Sequence, residues 1–439
     1  MKQTTIMQYY STNNPQEKAG FRTATIKGQA PDKGLYFPLR IPQLPSSFIK
    51  ELHQLPKEEI AFEVIKPYVD ADIPQNVLNN IVTETIAFDF PLVPVNENSY
   101  ALELFHGPTL AFKDVGARFM SRCLGYFMHG QAKKVTVLVA TSGDTGGAVA
   151  NGFYNVEGVD VIILYPAGKV SNIQELQLTT LGNNITAIAI DGSFDDCQQL
   201  VKQAFADNEL NSRMFLTSAN SINVARWLPQ QFYYFFALQQ WPHSAQPPVI
   251  SVPSGNFGNI CAGLLAYCSG LPVKQFIAAC NVNDVVSDYL QTGIYTPKAA
   301  VPTISNAMDV GNPSNWVRVL ELFDHQLGSL KEVMRSYCIS DVATREIISN
   351  VYAQSGYLLD PHGAVGYLAL QHYLEDHPDQ SGIFLATAHP VKFFDVVEPI
   401  IKEKLELPSA VQQLLNKQKE VIRMKKDWER FREYLMDRR

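Results

Sequence analysis

The residue best placed for covalent chemistry is Lys113, in the segment ELFHGPTLAFKD (103–114). It follows an apolar Leu-Ala-Phe triplet at the expected start of a helix over 115–127, where the helix dipole disfavours a cation. Taken alone, such a lysine reads as a surface cation whose stem lies on apolar neighbours. At its ordinary pKa only ~0.04% of the amine is neutral at pH 7. An apolar pocket at a positive helix end raises that fraction and yields the nucleophilic amine a Schiff base needs.

Three further segments place small and hydroxyl-bearing residues just after apolar runs. In ATSGDTGGAVA (140–150) the chain turns on Gly143, Gly146 and Gly147 before a helix. Such a turn exposes backbone N–H groups to an anion, and reads equally as an ordinary tight turn. VPSGNFGN (252–259) has the same layout, with Ser254, Asn256 and Asn259 and no Lys or Arg. Neutral donors suit a phosphate that is held permanently. FLATAHPVKF (384–393) ends an apolar run at Thr387 before Pro390, and alone reads as a capped helix start.

These segments need rigid strands to aim them. KVTVLVAT (134–141), 159–165, 184–191, 213–217, PVISVP (248–253) and 274–280 are short apolar runs separated by helical stretches such as 194–205 and 225–241. Strand–helix alternation with doubly buried strands predicts parallel sheet and an α/β fold. Two such blocks, 98–225 and 226–400, predict two units with a cleft between them. Residues 1–97 form a proline-rich N-terminal domain with helices expected at 46–57 and 75–89, followed by domains at 98–225 and 226–439. The stretch 409–439 reads as a charged surface helix that packs Val421, Trp428, Phe431 and Leu435.

Composition narrows the classes. The chain has 439 residues, 46% hydrophobic and 18% charged, with a formal net charge of −7. It can bury sizeable cores, and it lacks the concentrated basic face of a nucleic-acid binder. No apolar run is long enough for a membrane span and no signal peptide is evident, so a cytoplasmic protein is expected. The six cysteines form no C-x-x-C pair, which predicts free thiols. The histidines show no ligand spacing, so no metal is assigned. Walker, dinucleotide, zinc-peptidase and hydrolase signatures are absent.

HGPTLAFKD, TSGDTGGA, PSGNFGN and TAHPVKF, in this order, resemble the threonine synthase family. That family is a branch of the fold-type-II pyridoxal-phosphate enzymes, which include the tryptophan synthase β subunit. APDKGLYFP (30–38), PAGKVSNIQELQLTT (166–180), SANSINVARWLPQ (218–230) and NAMDVGNPSNW (306–316) extend the likeness nearly end to end. The resemblance implies a tryptophan synthase β-like fold, two mainly parallel α/β units around a cofactor cleft with N- and C-terminal helical additions. It implies pyridoxal 5'-phosphate bound to Lys113, its phosphate on Gly255, Asn256, Phe257 and Asn259, and Thr387 beside the pyridine nitrogen. Ser142, Gly143, Asp144 and Thr145 match the loop for the substrate carboxylate. Lys169, Ser171, Asn220, Ser221, Asn223 and Arg226 fall in the region matching the substrate-phosphate site.

The implied reaction converts O-phospho-L-homoserine and water to L-threonine and phosphate, the last step of threonine biosynthesis, in a monomer or homodimer. A serine/threonine dehydratase is the alternative within the same fold type. One departure stands out: the family commonly shows Ser-Thr-Arg where this chain reads Ser11-Thr12-Asn13. If that arginine contacts substrate, Arg22 is the nearby residue to replace it.

Overall fold

The computed structural model describes residues 6–243 and 245–438. Its two main sheets follow from the apolar runs. Val135–Ala140, Val249–Pro253, Gln275–Cys280 and Gly382–Ala386 are buried at every residue, as strands covered on both faces must be. One sheet has five parallel strands in the order Ile422–Lys425, Ile185–Asp191, Val159–Pro166, Val135–Ala140, Phe215–Ser218. The other has six, ordered Met334–Cys338, Gln275–Cys280, Val249–Pro253, Gly382–Ala386, Ser99–Glu103, Leu92–Asn96. Only the last pair of that sheet is antiparallel.

Side-chain alternation divides each sheet between two cores. Val135, Val137 and Val139 join the largest cluster, with the wholly buried run Phe232–Ala237 and N-terminal residues such as Tyr9, Phe21 and Ile60. Leu138 and Ala140 face the helix Phe194–Ala206 on the opposite side. The far side of the six-stranded sheet packs on the helices Asp341–Ser355 and Pro361–Asp376.

The N-terminal region carries helices at Ser46–Glu51 and Gln75–Thr85, close to expectation. Between them lies Lys57–Val69, a helix that sequence inspection did not single out. Pro45, Pro56 and Pro74 stand immediately before these three helices, so the prolines mark starts rather than irregular chain. A small antiparallel sheet joins Lys18–Ala19, Tyr9–Ser11 and Tyr36–Pro38.

Two expectations need correction. The stretch 409–439 is a helix, a strand and a second helix: Ser409–Leu415, Ile422–Lys425 and Trp428–Met436. The strand pairs in parallel with Ile185–Asp191 and completes the sheet of the unit that carries Lys113. Phe431 and Leu435 are buried in that unit's core, whereas Val421 is exposed. Charged residues on a short edge strand hid it, because an edge presents one rim to solvent. The domain cut at 98 also differs, since Ser99–Glu103 pairs with Gly382–Ala386 in the other sheet. No helix among the described residues is long and apolar enough to cross a membrane.

Candidate active site

The two sheets direct their strand ends at one cavity of about 1480 Å³. Lys113 reaches it from the first residue of the helix Lys113–Met128. The preceding loop is folded back on itself. Asp114, buried, accepts from the Thr109 N–H at 2.9 Å and from its hydroxyl at 2.5 Å, and Leu110 takes a positive φ of 59°. The Phe112 N–H donates to the Thr387 carbonyl at 2.9 Å. That bond joins the lysine's loop to the end of the strand Gly382–Ala386.

The Lys113 amine stands 3.7 Å from Asp144 Oδ2 and 5.0 Å from the Phe112 ring centroid. Burial lowers its pKa; Asp144 opposes that shift, while Lys392 and Arg226 add to it. A larger neutral fraction of the amine follows, as nucleophilic chemistry requires.

Asp144 is the first residue of the helix Asp144–Phe153 and is buried. Its Oδ1 receives Lys392 Nζ at 2.8 Å and Gln174 Nε2 at 2.9 Å. Burial works against its charge, but Lys392, Lys113 and Gln174 outweigh burial and hold the carboxyl well below the usual range. Gly143, with φ 136°, packs directly on Gln174: a Cβ there would stand 2.4 Å from the Gln174 amide carbon. Ser142, Asp144 and Thr145 line the cavity.

Across the cavity, Ser254–Asn259 leaves the strand Val249–Pro253 and enters the helix Gly258–Cys268. Phe257 is left-handed, with φ 57°. A Cβ on Gly255 would meet Met308 Cα at 2.7 Å and the Ala307 carbonyl at 2.8 Å, so only glycine fits there. Asn256 bonds Ser221 Oγ and accepts from the Ser314 N–H, both at 2.5 Å. Asn259 Oδ1 accepts from Tyr233 and Tyr234 hydroxyls, each at 2.8 Å, while its buried Nδ2 has no partner among the described residues.

Among the expected phosphate ligands, Lys169, Asn220, Ser221 and Arg226 line the cavity. Arg226 is buried; its Nη1 donates to the Ala219 carbonyl at 2.5 Å and its Nε has no partner among the described residues. Burial brings its pKa down to about 10. Two others have structural tasks instead. Ser171 caps the helix Asn172–Thr179 in a capping box with Gln174, and Asn223 caps Val224–Trp227 while donating to the Thr25 and Ser218 carbonyls. Neither lines the cavity. Asn13 does line it, whereas Arg22 lies over the Phe127 ring and donates to the Phe127 carbonyl. Arg22 is therefore engaged elsewhere and does not replace an arginine at position 13.

The residues that sequence inspection missed are Lys392, Gln174 and His362. Lys392 lies within TAHPVKF, and its signal was a lysine amid apolar residues at a helix start. His362 is buried, with Nδ1 2.7 Å from Asp360 and Nε2 accepting the Ala307 N–H at 3.1 Å. It thereby braces the segment against which Gly255 packs.

Comparison with known proteins agrees with this geometry. A family model described as pyridoxal-phosphate dependent enzyme matches residues 88–386. Models for the threonine synthase N terminus and C-terminal region match 8–86 and 363–435. The chain is 47% identical over 406 residues to a threonine synthase of Haemophilus influenzae, covering 92% of this chain and 94% of that one. The crystal structure of threonine synthase from Escherichia coli superposes with a TM-score of 0.91 at 42% identity, covering 98% and 100% of the two chains. A pyridoxal-phosphate-bound threonine synthase from Brucella melitensis gives 0.91 at 34%, covering 98% of each.

The site's own features fit pyridoxal phosphate. A lysine amine with lowered proton affinity shares the cavity with a loop of neutral donors. A side chain on Gly255 would collide with backbone, and the buried Asn259 Nδ2 lacks a partner among the described residues.

Proposed function

The chain belongs to the threonine synthase family of pyridoxal-phosphate-dependent enzymes, and we propose that it converts O-phospho-L-homoserine and water to L-threonine and phosphate. The observation that carries this reading is the pairing of two different anion environments in one cavity: the neutral loop Ser254–Asn259, and the cations Arg226 and Lys169 on its wall.

The cofactor supplies an aldehyde for amine capture and a ring that withdraws electrons from the substrate's α-carbon. Gly255, Asn256, Phe257 and Asn259 would hold its phosphate at the start of the helix Gly258–Cys268, where N–H groups and the dipole favour an anion. Thr387 offers the ring nitrogen a hydroxyl rather than a carboxylate, which moderates electron withdrawal and favours elimination and addition. Ser142 and Thr145 receive the substrate carboxylate at a second helix start, while Gly143 lies behind them with its N–H donated to the Thr141 hydroxyl at 2.9 Å. Asp144 is set apart from these donors by its ion pairs.

The chain's own groups then move protons and hold charge. Lys113, released as a free amine, takes the α-proton and serves as the local proton carrier. A proton leaves Cβ as the Cγ–O bond to phosphate breaks, and a proton returns to Cγ to complete the methyl group. Water adds its hydroxyl at Cβ, and a proton returns to Cα; the remaining proton leaves with the phosphate. Arg226 grips the leaving phosphate through its planar guanidinium, and Lys169 adds a point charge. Closure over the cavity would exclude water other than the reacting one.

The test is an absorbance spectrum of the purified protein before and after O-phospho-L-homoserine, with threonine and phosphate quantified. A visible band that changes on addition, with equal yields of both products, is expected. Formation of a 2-oxo acid instead of threonine would overturn the assignment in favour of a dehydratase.

A further inference from the structure

We propose that Lys392 is a positioning residue for the reaction: its buried ammonium holds Asp144 as an anion aimed at the Lys113 amine, and so governs how tightly that amine keeps its proton. The proposal rests on Lys113 being the reacting amine.

Lys392 is fully buried in the short 3-10 turn Pro390–Phe393, which follows the strand Gly382–Ala386 and Thr387. An ammonium has three donors and no acceptor, and each donor here has a partner. They are Asp144 Oδ1 at 2.8 Å, the Thr109 carbonyl at 2.8 Å and Gln177 Oε1 at 3.1 Å. The site is built for the charged form.

Burying an ion pair is commonly no more stabilising than a well-packed neutral pair, so fold stability alone does not account for it. The geometry at Asp144 supplies a reason. Lys392 and Gln174 both engage Oδ1, and Lys113 stands 3.7 Å from the other oxygen, Oδ2. The carboxylate is thereby clamped on one side and directed at the amine on the other. The charges that face Lys113 are Asp144, Lys392 and Arg226. Asp144 strengthens its hold on the proton, and the two cations and burial weaken it. Removing Lys392 therefore tightens the proton on Lys113, and neutralising Asp144 loosens it.

The experiment uses protein stripped of cofactor. Lys113 acylation by trace acetic anhydride is followed against pH by peptide mass spectrometry. Lys392→Met is expected to raise the titration midpoint of Lys113 by about one pH unit, and Asp144→Asn to lower it by about one, as for opposite and like charges at this range. The double variant returns it close to the parent value. Midpoints unchanged in folded single variants would reduce Lys392 to a structural role and overturn the proposal. Should Lys392→Met fail to fold, Asp144→Asn and the neutral double variant still decide. The midpoint must lie lower in Asp144→Asn, which keeps the unpaired cation, and equal midpoints would overturn the proposal. Borohydride reduction of the loaded protein with peptide mapping tests separately whether Lys113 carries the cofactor.

Discussion

Gly255 lies so close to Met308 that a Cβ on the glycine would stand 2.7 Å from the Met308 Cα. The obstruction is backbone, since the Ala307 carbonyl is equally near at 2.8 Å. Ala307 is itself tied to His362 through its N–H. The loop proposed to hold the cofactor phosphate is thus seated against a braced segment that cannot yield without losing the hydrogen bond to His362.

Gly255→Ala should therefore weaken cofactor binding without unfolding the chain. Overpacking of this kind costs about 1–3 kcal/mol. A loss of roughly tenfold or more in pyridoxal-phosphate affinity is expected from an absorbance titration, with a small change in the melting temperature. Unaltered affinity would mean that the loop does not hold the phosphate in this arrangement.

Arg226 offers a guanidinium whose Nη1 is already committed to the Ala219 carbonyl and whose Nε is not. Arg226→Lys keeps a charge but loses the planar fork. It should lower kcat/KM for O-phospho-L-homoserine by roughly 10- to 100-fold, as for loss of a charged hydrogen bond. Inhibition by added inorganic phosphate should weaken in parallel. Steady-state kinetics with phosphate as a competing ligand checks both.

His389 gives a pH dependence of stability. Its Nδ1 accepts the Val391 N–H at 3.1 Å, and its ring meets Phe105 edge-on at 5.2 Å. Burial is the main cause that brings its pKa from 6.5 down to about 4, and His106 adds to the shift. The unfolded chain therefore binds a proton between those values while the folded chain does not. Stability falls as pH drops from 6.5 towards 4, by up to about 3 kcal/mol from this residue. His389→Asn keeps a capping acceptor and should flatten that loss in urea unfolding at stepped pH. An unchanged slope would assign the acid sensitivity elsewhere.

Phe431 tests the C-terminal correction. It is fully buried against the core that includes Cys197, Leu200 and Val201. Phe431→Ala should destabilise the protein by about 3–5 kcal/mol, while the folded fraction retains its kcat. Equilibrium denaturation beside an activity assay separates the two. A surface helix without core contacts would lose less than about 1 kcal/mol.

Much of this protein is local and therefore legible in one dimension. Runs such as VTVLVA and QFIAAC are apolar at all but one position each and buried throughout, because both faces are covered, so they read as parallel strands from the sequence. The lysine of LAFKD alone reads as a surface cation; its expected role, and that of the PSGNFGN loop toward a cofactor phosphate, came from the resemblance of the ordered motifs to a known family. Tertiary structure decided the rest, because charge burial and pairing depend on partners far apart in the chain. Lys392 acquires its meaning only from Asp144, Thr109 and Gln177. Ser171 and Asn223 fall in segments that resemble a substrate-phosphate region, and the fold uses their side chains to cap helices. A polar edge strand at 422–425 has no signature of its own until Ile185–Asp191 offers it a row of hydrogen-bonding groups.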